Sequence, residues 1–397
     1  MAGALDGIMV LDFTRAYSGP FCTLMLRDLG ARVIKVELPG SGDNVRKDYP
    51  LTAGGEGGTF IILNRGKKSI TLNLKSDKGR EICKKLVARA DVLLENYSPG
   101  TMAKLGLGHE ELCRSNPRLI YASISGYGQT GPYRDRVSYD PMGQAMGGIT
   151  SVTGFPDSPP IKCGVSIADF STGLYTTIAI LAALHHRQKT GQGQYIDMSI
   201  QDCVWLLTAI EYSPPYFLTG KALPRLGNSH PAMAPGNLYM AKDGPVLIST
   251  SGHSQVLAFY KAIGREDLWN TPFTSDQSER YKYKPQIDAL VGEWASSRTV
   301  AEVLKILREA DIPCAPVPSF DQVCNDPQLI SRDMIIEVEQ PKSGPVKVPG
   351  SLFKMSRTPG NVKYPAPALG EHNREILAEA LGYTEEEIEK LSGEGVI

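Results

Sequence analysis

The chain has 397 residues, 42% of them apolar and 21% charged, with 42 Lys plus Arg against 43 Asp plus Glu and a net charge of -1. That length exceeds what one hydrophobic core usually organises, so two domains are expected. The near-neutral balance gives no electrostatic ground for nucleic acid or an anionic membrane as partner.

The N-terminus carries no basic segment followed by an apolar run, so no targeting peptide is expected there. Ile8–Thr14 reads as a short apolar strand. Ser18–Gly19–Pro20 then opens a helix, with Pro where its missing N–H costs nothing. Phe21, Leu24, Met25 and Leu29 share one face, and Gly30 stops the helix. Ala31–Val36 is the next strand, and Ser69–Leu74 another. Ser76 fits an N-cap before the stripe of Ile82, Cys83, Leu86 and Val87. Asp91–Asn96 and Leu119–Ser125 complete a strand–helix alternation, which argues for a parallel sheet covered on both faces. Ligands in such folds bind beyond the carboxyl ends of the strands, so Arg15–Ser18, Lys75 and Asn96–Ser98 fall on candidate binding loops.

Asp169 precedes a long helix carrying Leu174, Ile178, Leu181 and Leu184, which Lys189–Gly193 ends. Tyr195–Ile200 is a further strand, and the apolar helix near Val204–Tyr212 is expected to break at Pro214–Pro215. No stretch is expected to reach the ~20 apolar residues of a membrane span. The Pro- and Gly-rich segment Leu223–Gly236 reads as a linker into a smaller α+β domain. That domain opens with a hairpin turning at Lys242–Gly244 and continues in helices to about Ala310. Asp311–Phe320 reads as an irregular return to the first domain, and Thr384 with Glu387 as a capping box on the last helix. The expected division is 1–222, 223–325 and 326–397, the smaller domain inserted in the larger.

Several chemistries lose their support. There is no G-x-x-x-x-G-K-[ST] for a nucleotide phosphate, no G-x-G-x-x-G after the first strand and no G-x-S-x-G. The six histidines have no metal-ligand spacing, and the seven cysteines form no C-x-x-C pair. Unpatterned thiols fit a reducing, cytoplasmic compartment. A mitochondrial location would require a transit peptide outside this sequence. On the residues alone Asp169 is an N-cap, Lys75 and Lys104 are solvated cations, and the reaction of an α/β enzyme stays open.

Motifs along the whole chain resemble the class III CoA-transferases, the group containing formyl-CoA transferase and the bacterial carnitine CoA-transferase. They include Leu11–Thr14 with Ser18–Pro20, Gly30–Glu37, Gly40–Asp43, Asn64–Ile70, Glu95–Gly100, Ser125–Pro132, Lys189–Gln194 and Leu369–His372. The resemblance implies a Rossmann-like parallel-sheet large domain in a homodimer of interlocked rings. It identifies Asp169, in Ile167–Gly173, as the catalytic nucleophile that carries CoA between carboxylic acids as an aspartyl thioester. The N–H groups at its helix terminus are expected to stabilise the oxyanions that develop. By the same resemblance Ala16, Tyr17, Ser18, Leu72, Asn73, Leu74, Lys75, Asn96, Tyr97, Ser98, Lys104, Val137, Ser138, Tyr139 and Asp140 line the CoA path. CoA and acyl-CoA enter as substrates, with succinyl-CoA a plausible donor, and no tightly bound cofactor or metal is implied. Arg225, His230, Gly252 and His253 are candidate substrate contacts. Two departures stand out. Position 38 is Leu where formyl-CoA transferase has a basic residue on CoA, and its glycine-rich loop is reduced to Ser249–His253.

Three rivals are weighed against this. An α-methylacyl-CoA racemase needs a His–Asp base pair, where this chain has Tyr139–Asp140, and a tyrosine, which ordinarily titrates near ~10, is a poor base. A non-catalytic CoA-thioester binding protein would transfer no CoA to a second acid. A hydrolase using the same aspartyl thioester would release free thiol without an acceptor.

Overall fold

The computed structural model of the chain describes residues 3–362 and 364–397. The chain forms two compact units, the first running to Thr150 and taking in Lys162–Lys221 and Pro327–Ile397. The second comprises Ser151–Ile161 and Ala222–Asp326.

The first unit begins β1 (Met9–Asp12), α1 (Ser18–Asp28), β2 (Arg32–Glu37), α2 (Gly58–Asn64), β3 (Lys68–Thr71), α3 (Asp77–Val87), β4 (Val92–Glu95) and β5 (Ile120–Ser125). It continues through α4 (Asp140–Met146), α5 (Ile167–Thr190), β6 (Tyr195–Ser199) and α6 (Ile200–Thr219). Six parallel strands pair in the order β3-β2-β1-β4-β5-β6. This is the doubly wound order, whose switch point lies between β1 and β4.

Both faces of the sheet are dry, which is why its strands read as continuous apolar runs. Leu11, Ile34 and Leu93 pack on one face with Ile82, Cys83, Leu86 and Val87 of α3. Val10, Val33, Val92 and Leu94 pack on the other with Cys22 and Leu26 of α1 and Ala168, Ile180 and Ala183 of α5. Alternation within each strand feeds the two cores in turn. Ser76 caps α3 by accepting the Gly79 N–H at 3.0 Å. Gly191, with φ 78°, ends α5 in the left-handed conformation that a residue with a Cβ rarely takes.

Two expectations about the helices of this unit do not hold. α6 does not break at Pro214–Pro215 but runs through both to Thr219. Proline keeps a helical φ, and the last turn is closed by Gly220 N–H on Tyr216 O at 2.8 Å. α5, in turn, is long and apolar enough to cross a membrane by length and composition. Leu174, Ile178, Ile180, Leu181, Leu184 and the alanines among them lift the average, while its buried residues include Thr172, Thr176, Thr177 and Arg187.

In the second unit β7 (Gly236–Met240) and β8 (Pro245–Ser249) form the expected hairpin, followed by α7 (Gly252–Ala262), α8 (Lys284–Ser296) and α9 (Val300–Glu309). The segment expected to be irregular contains a third strand, β9 (Cys314–Pro316), antiparallel to β8. Tyr239, Val246, Phe259, Tyr260, Ile287 and Leu307 build the core of this unit. Back in the first unit, an unforeseen hairpin of β10 (Ile335–Gln340) and β11 (Gly344–Pro349) precedes α10 (Glu385–Gly393), which the Thr384–Glu387 capping box opens.

Candidate active site

Where β1, β4 and β5 end side by side, their following loops enclose a cavity of about 450 Å³. Arg15–Ser18, Asn96–Pro99, Ile124–Gly126 and Arg136–Tyr139 supply most of its wall, with Asn44, Ile200 and Asp169. The first two loops are locked together. Arg15 N–H donates to Asn96 Oδ1 at 2.9 Å, and Asn96 Nδ2 donates back to Arg15 O at 2.8 Å. A second cavity of about 450 Å³ adjoins, sharing Arg15 and Tyr97. Leu38, Leu72, Leu74 and Leu105 make it apolar, and Lys75 and Lys104 join Arg15 at its wall. The Arg15 guanidinium lies 5.2 Å from the Tyr97 ring centre, a cation–π distance.

Among the described residues, Asp169 is the sole carboxylate lining the first cavity. It sits third in α5 rather than at the cap, which is Ser166. The helix start is fastened by a second acid, since Asp140 Oδ1 accepts the N–H groups of Ala168 at 2.9 Å and Asp169 at 3.3 Å. Ile167 N–H donates to Val165 O and Phe170 N–H to Ser166 O. The first-turn N–H groups are therefore occupied within the chain, and the expectation that they receive an oxyanion does not hold. Asp140 is itself buried and is held by Gln144 Nε2 at 2.7 Å.

Burial, reinforced by the neighbouring Asp140 charge, pushes the Asp169 carboxyl up to about 7, against a side-chain hydrogen bond with Ser18. Phe170, the next residue, meets Phe21 edge-on at 4.9 Å and Tyr17 at 6.1 Å between ring centres. Asp169 thus sits half-buried in a mixed polar and aromatic wall, where burial narrows the gap between its charged and neutral forms near neutral pH. Val137 and Tyr139 are exposed at the rim. Asp140, which a racemase would use as a base, is committed to the backbone of α5.

Most residues expected on the CoA path converge here: Ala16, Tyr17, Ser18, Asn96, Tyr97, Ser98, Val137, Ser138 and Tyr139 at the first cavity, and Leu72, Leu74, Lys75 and Lys104 at the second. Asn73 lines neither, because its side chain accepts the Lys75 N–H and donates to Gly395 O. Asp140 lies behind the wall. Arg225, His230, Gly252 and His253 belong to the second unit. There the Arg225 guanidinium donates to the carbonyls of Phe155, Pro156 and Ser158, and His230 Nδ1 accepts the Ala232 N–H. Gly252 and His253 open α7, so the Ser249–His253 segment joins a strand directly to a helix. Asn44, Arg136 and Ile200 line the site without having been singled out as site residues in sequence, because each belongs to a loop or strand end with no motif chemistry of its own, and Ser125 entered only as a strand end and as the start of a motif that carries the resemblance. Among the described residues no group of three or more His, Cys, Asp or Glu could hold a metal ion.

Residues 5–373 match the family described as CoA-transferase family III. A succinyl-CoA–D-citramalate CoA-transferase of Chloroflexus aurantiacus is 38% identical, over 99% of this chain and 98% of its own length. A succinyl-CoA:glutarate CoA-transferase of Mus musculus is 36% identical, over 99% and 90%. Among solved structures, a CAIB/BAIF family protein from Brucella suis superposes with a TM-score of 0.84 at 37% identity, covering 96% of this chain and 100% of that one.

Proposed function

The chain belongs to CoA-transferase family III, and from that premise we propose that Asp169 is the residue that carries CoA between two carboxylic acids. The overall reaction is transfer from an acyl-CoA donor to a carboxylate acceptor. Such an exchange conserves the thioester, so it requires no nucleotide. The Asp169 carboxylate attacks the donor carbonyl, forming a mixed anhydride and expelling CoA thiolate. The thiolate attacks the aspartyl carbonyl of that anhydride and releases the donor acid, leaving an aspartyl-CoA thioester. The acceptor carboxylate attacks that thioester, expels the thiolate again and forms a second anhydride. The thiolate then takes the acceptor acyl group, which restores the Asp169 carboxylate.

The observation that carries this reading is a half-buried carboxyl, alone of its kind in the cavity wall, with its pKa raised to about 7. The adjoining apolar cavity suits the adenosine end of CoA, and Arg15, Lys75 and Lys104 suit its phosphates as point charges and forks. Arg15 stands where it can supply the charge that Leu38 does not. Dicarboxylic substrates are favoured by the relatives, whose names specify succinyl-CoA. Arg225, His230 and His253 are proposed as partners for a substrate carboxylate, and Gly252 as part of the segment that stands in place of the family's glycine-rich loop.

A large domain of 1–222 and 326–397 with 223–325 inserted, a homodimer and a cytoplasmic location belong to the same proposal. The exposed apolar residues Leu174, Ile178, Trp205, Ile210, Phe217 and Leu218 on α5 and α6 support a second copy as cover.

The decisive experiment is incubation with succinyl-CoA alone, digestion and peptide mass measurement. The fragment holding Asp169 is expected to gain the mass of CoA less water. Asp169→Ala is expected to lose roughly 10³-fold or more in transfer rate, the scale on which removing a covalent nucleophile acts. An unlabelled Asp169 peptide from an enzyme that transfers CoA would reject the assignment.

A further inference from the structure

Behind the cavity wall lies a set of fully buried charges that the transfer chemistry does not touch. Lys35 Nζ and Asp43 Oδ2 stand 2.9 Å apart with both side chains wholly excluded from solvent. Neither residue lines either cavity of the site. Each instead holds the segment between β1 and α1. Lys35 Nζ donates to Thr14 O at 2.8 Å, and Asp43 Oδ1 accepts the Ala16 N–H at 3.2 Å. At the second of those anchors Ala16 adopts φ 61°, left-handed space that a residue with a Cβ enters only when its surroundings impose it.

We propose that the buried Lys35–Asp43 ion pair is a positioning device, holding Ala16 in its left-handed conformation so that Tyr17 and Ser18 face Asp169. The inference rests on Asp169 being the nucleophile. Stability alone does not account for the pair, because replacing a buried ion pair by apolar side chains of like volume is often neutral or stabilising. What an apolar pair cannot do is accept the Ala16 N–H and donate to Thr14 O. The consequence reaches the reacting carboxyl in two steps. Ala16 fixes the direction of the chain into Tyr17 and Ser18, which line the same cavity wall as Asp169, and Ser18 is the side chain that opposes the burial-driven rise of the Asp169 pKa. The segment is also confined from the far side, since a Cβ on Gly173 of α5 would lie 2.7 Å from Ser18 O.

The test uses the full-length enzyme and a double-mutant comparison. Asp43→Asn removes the charge at nearly constant volume, so that although one oxygen is kept for the Ala16 N–H, Lys35 faces an amide in place of its counter-ion and the ion pair that joins the two anchors is broken. It is expected to raise KM for succinyl-CoA and lower kcat by roughly tenfold to a hundredfold combined in kcat/KM, the scale of an ångström misplacement in a site. Adding Ala16→Gly to Asp43→Asn removes the cost of the left-handed conformation. It is expected to recover at least half of that loss on a logarithmic scale, measured against Ala16→Gly alone. A purely stabilising role would leave kcat and KM unchanged well below the melting temperature and give no such recovery, and that result overturns the proposal. Should Asp43→Asn fail to fold, Lys35→Met/Asp43→Leu replaces it. Wild-type stability with impaired kcat/KM supports positioning, and wild-type kinetics overturns it. Labelling of the Asp169 peptide by donor is followed in parallel. A wild-type enzyme that never labels sinks the nucleophile assignment, whereas normal labelling beside an unimpaired Asp43→Asn sinks the positioning role alone.

Discussion

Asp140 acts on Asp169 in two ways that a single substitution can separate. Its Oδ1 accepts the first-turn N–H groups of α5, and its charge helps raise the Asp169 pKa to about 7. Asp140→Asn keeps an oxygen for the Ala168 N–H and deletes the charge. Because a like charge disfavours the ionised form, its removal lowers the Asp169 pKa. With Asp169 as the proposed nucleophile, the ascending limb of kcat/KM for the donor follows its ionisation and is then expected to move to lower pH. At pH 6 the ratio of activity to the high-pH plateau should rise roughly threefold over wild type. A pH–rate profile checks this, and a limb that stays in place or moves upward contradicts it. None of this is readable from local sequence. Asp169 by itself looks like an N-cap, and the group that tunes it lies a long loop away. The buried charges are hidden for a different reason. Asp12, Lys35, Asp43 and Lys67 all fall in motifs that carry the family resemblance, yet charged residues read as solvated until a structure shows them enclosed.

At the scale of elements, the contact that matters most for the site is the crossing of α1 on α5, and Gly173 permits it. A Cβ there would come within 2.7 Å of Ser18 O and 3.1 Å of the Phe21 ring. Gly173→Ala gains helix propensity but forces the two helices apart, so a net loss of about 1–3 kcal/mol is expected from overpacking. Ser18 moves with α1, so donor turnover should fall together with stability. Urea denaturation and steady-state kinetics measure the two effects, and a variant equal to wild type in both would show that the crossing is slack. The elements themselves are largely legible, because strands buried on both faces give unbroken apolar runs and helices between them give a 3.6-residue stripe. The misreadings have two causes. β9 and the β10–β11 hairpin form because a strand partner decides what local propensity leaves balanced, whereas α6 continues through Pro214–Pro215 with its last turns exposed, because proline's φ is already helical. Cys314–Pro316 has little strand signal until β8 offers it an edge.

For the whole molecule, the groups with displaced pKa values set stability and catalysis against each other. Burial raises Asp28 to about 6, Glu95 to about 7 and Asp169 to about 7. Each folded-state value exceeds that of the unfolded chain, near 4. Between about pH 4 and 7 the folded protein therefore binds more protons than the unfolded one, and stability increases as pH falls through that window. His372 opposes the trend, since burial lowers its pKa and protonation disfavours the fold below the ordinary histidine value of 6.5. Asp12 and Glu37 are held below the usual carboxylate range despite burial, by Lys67 and Lys35 and by Arg46 respectively. Their contribution is complete above about pH 4 and is lost only in stronger acid, so it adds no slope in the working range. Three raised carboxyls against one histidine predict a resting enzyme that melts a few degrees higher at pH 5.5 than at pH 7.5. The proposed nucleophile would need the opposite, because a carboxyl attacks only when ionised, so if Asp169 has that role transfer should climb over the interval in which stability declines. Glu95→Gln isolates the effect. Glu95 accepts the Tyr97 N–H at 2.8 Å beneath the cavity loop, and its neutral replacement keeps an oxygen for that bond while abolishing its titration. The variant should gain thermal stability at pH 7.5 and little at pH 5.5, flattening the slope. Calorimetry at the two pH values decides the matter: a wild-type melting temperature that is flat, or higher at pH 7.5, would mean that these carboxyls do not govern stability.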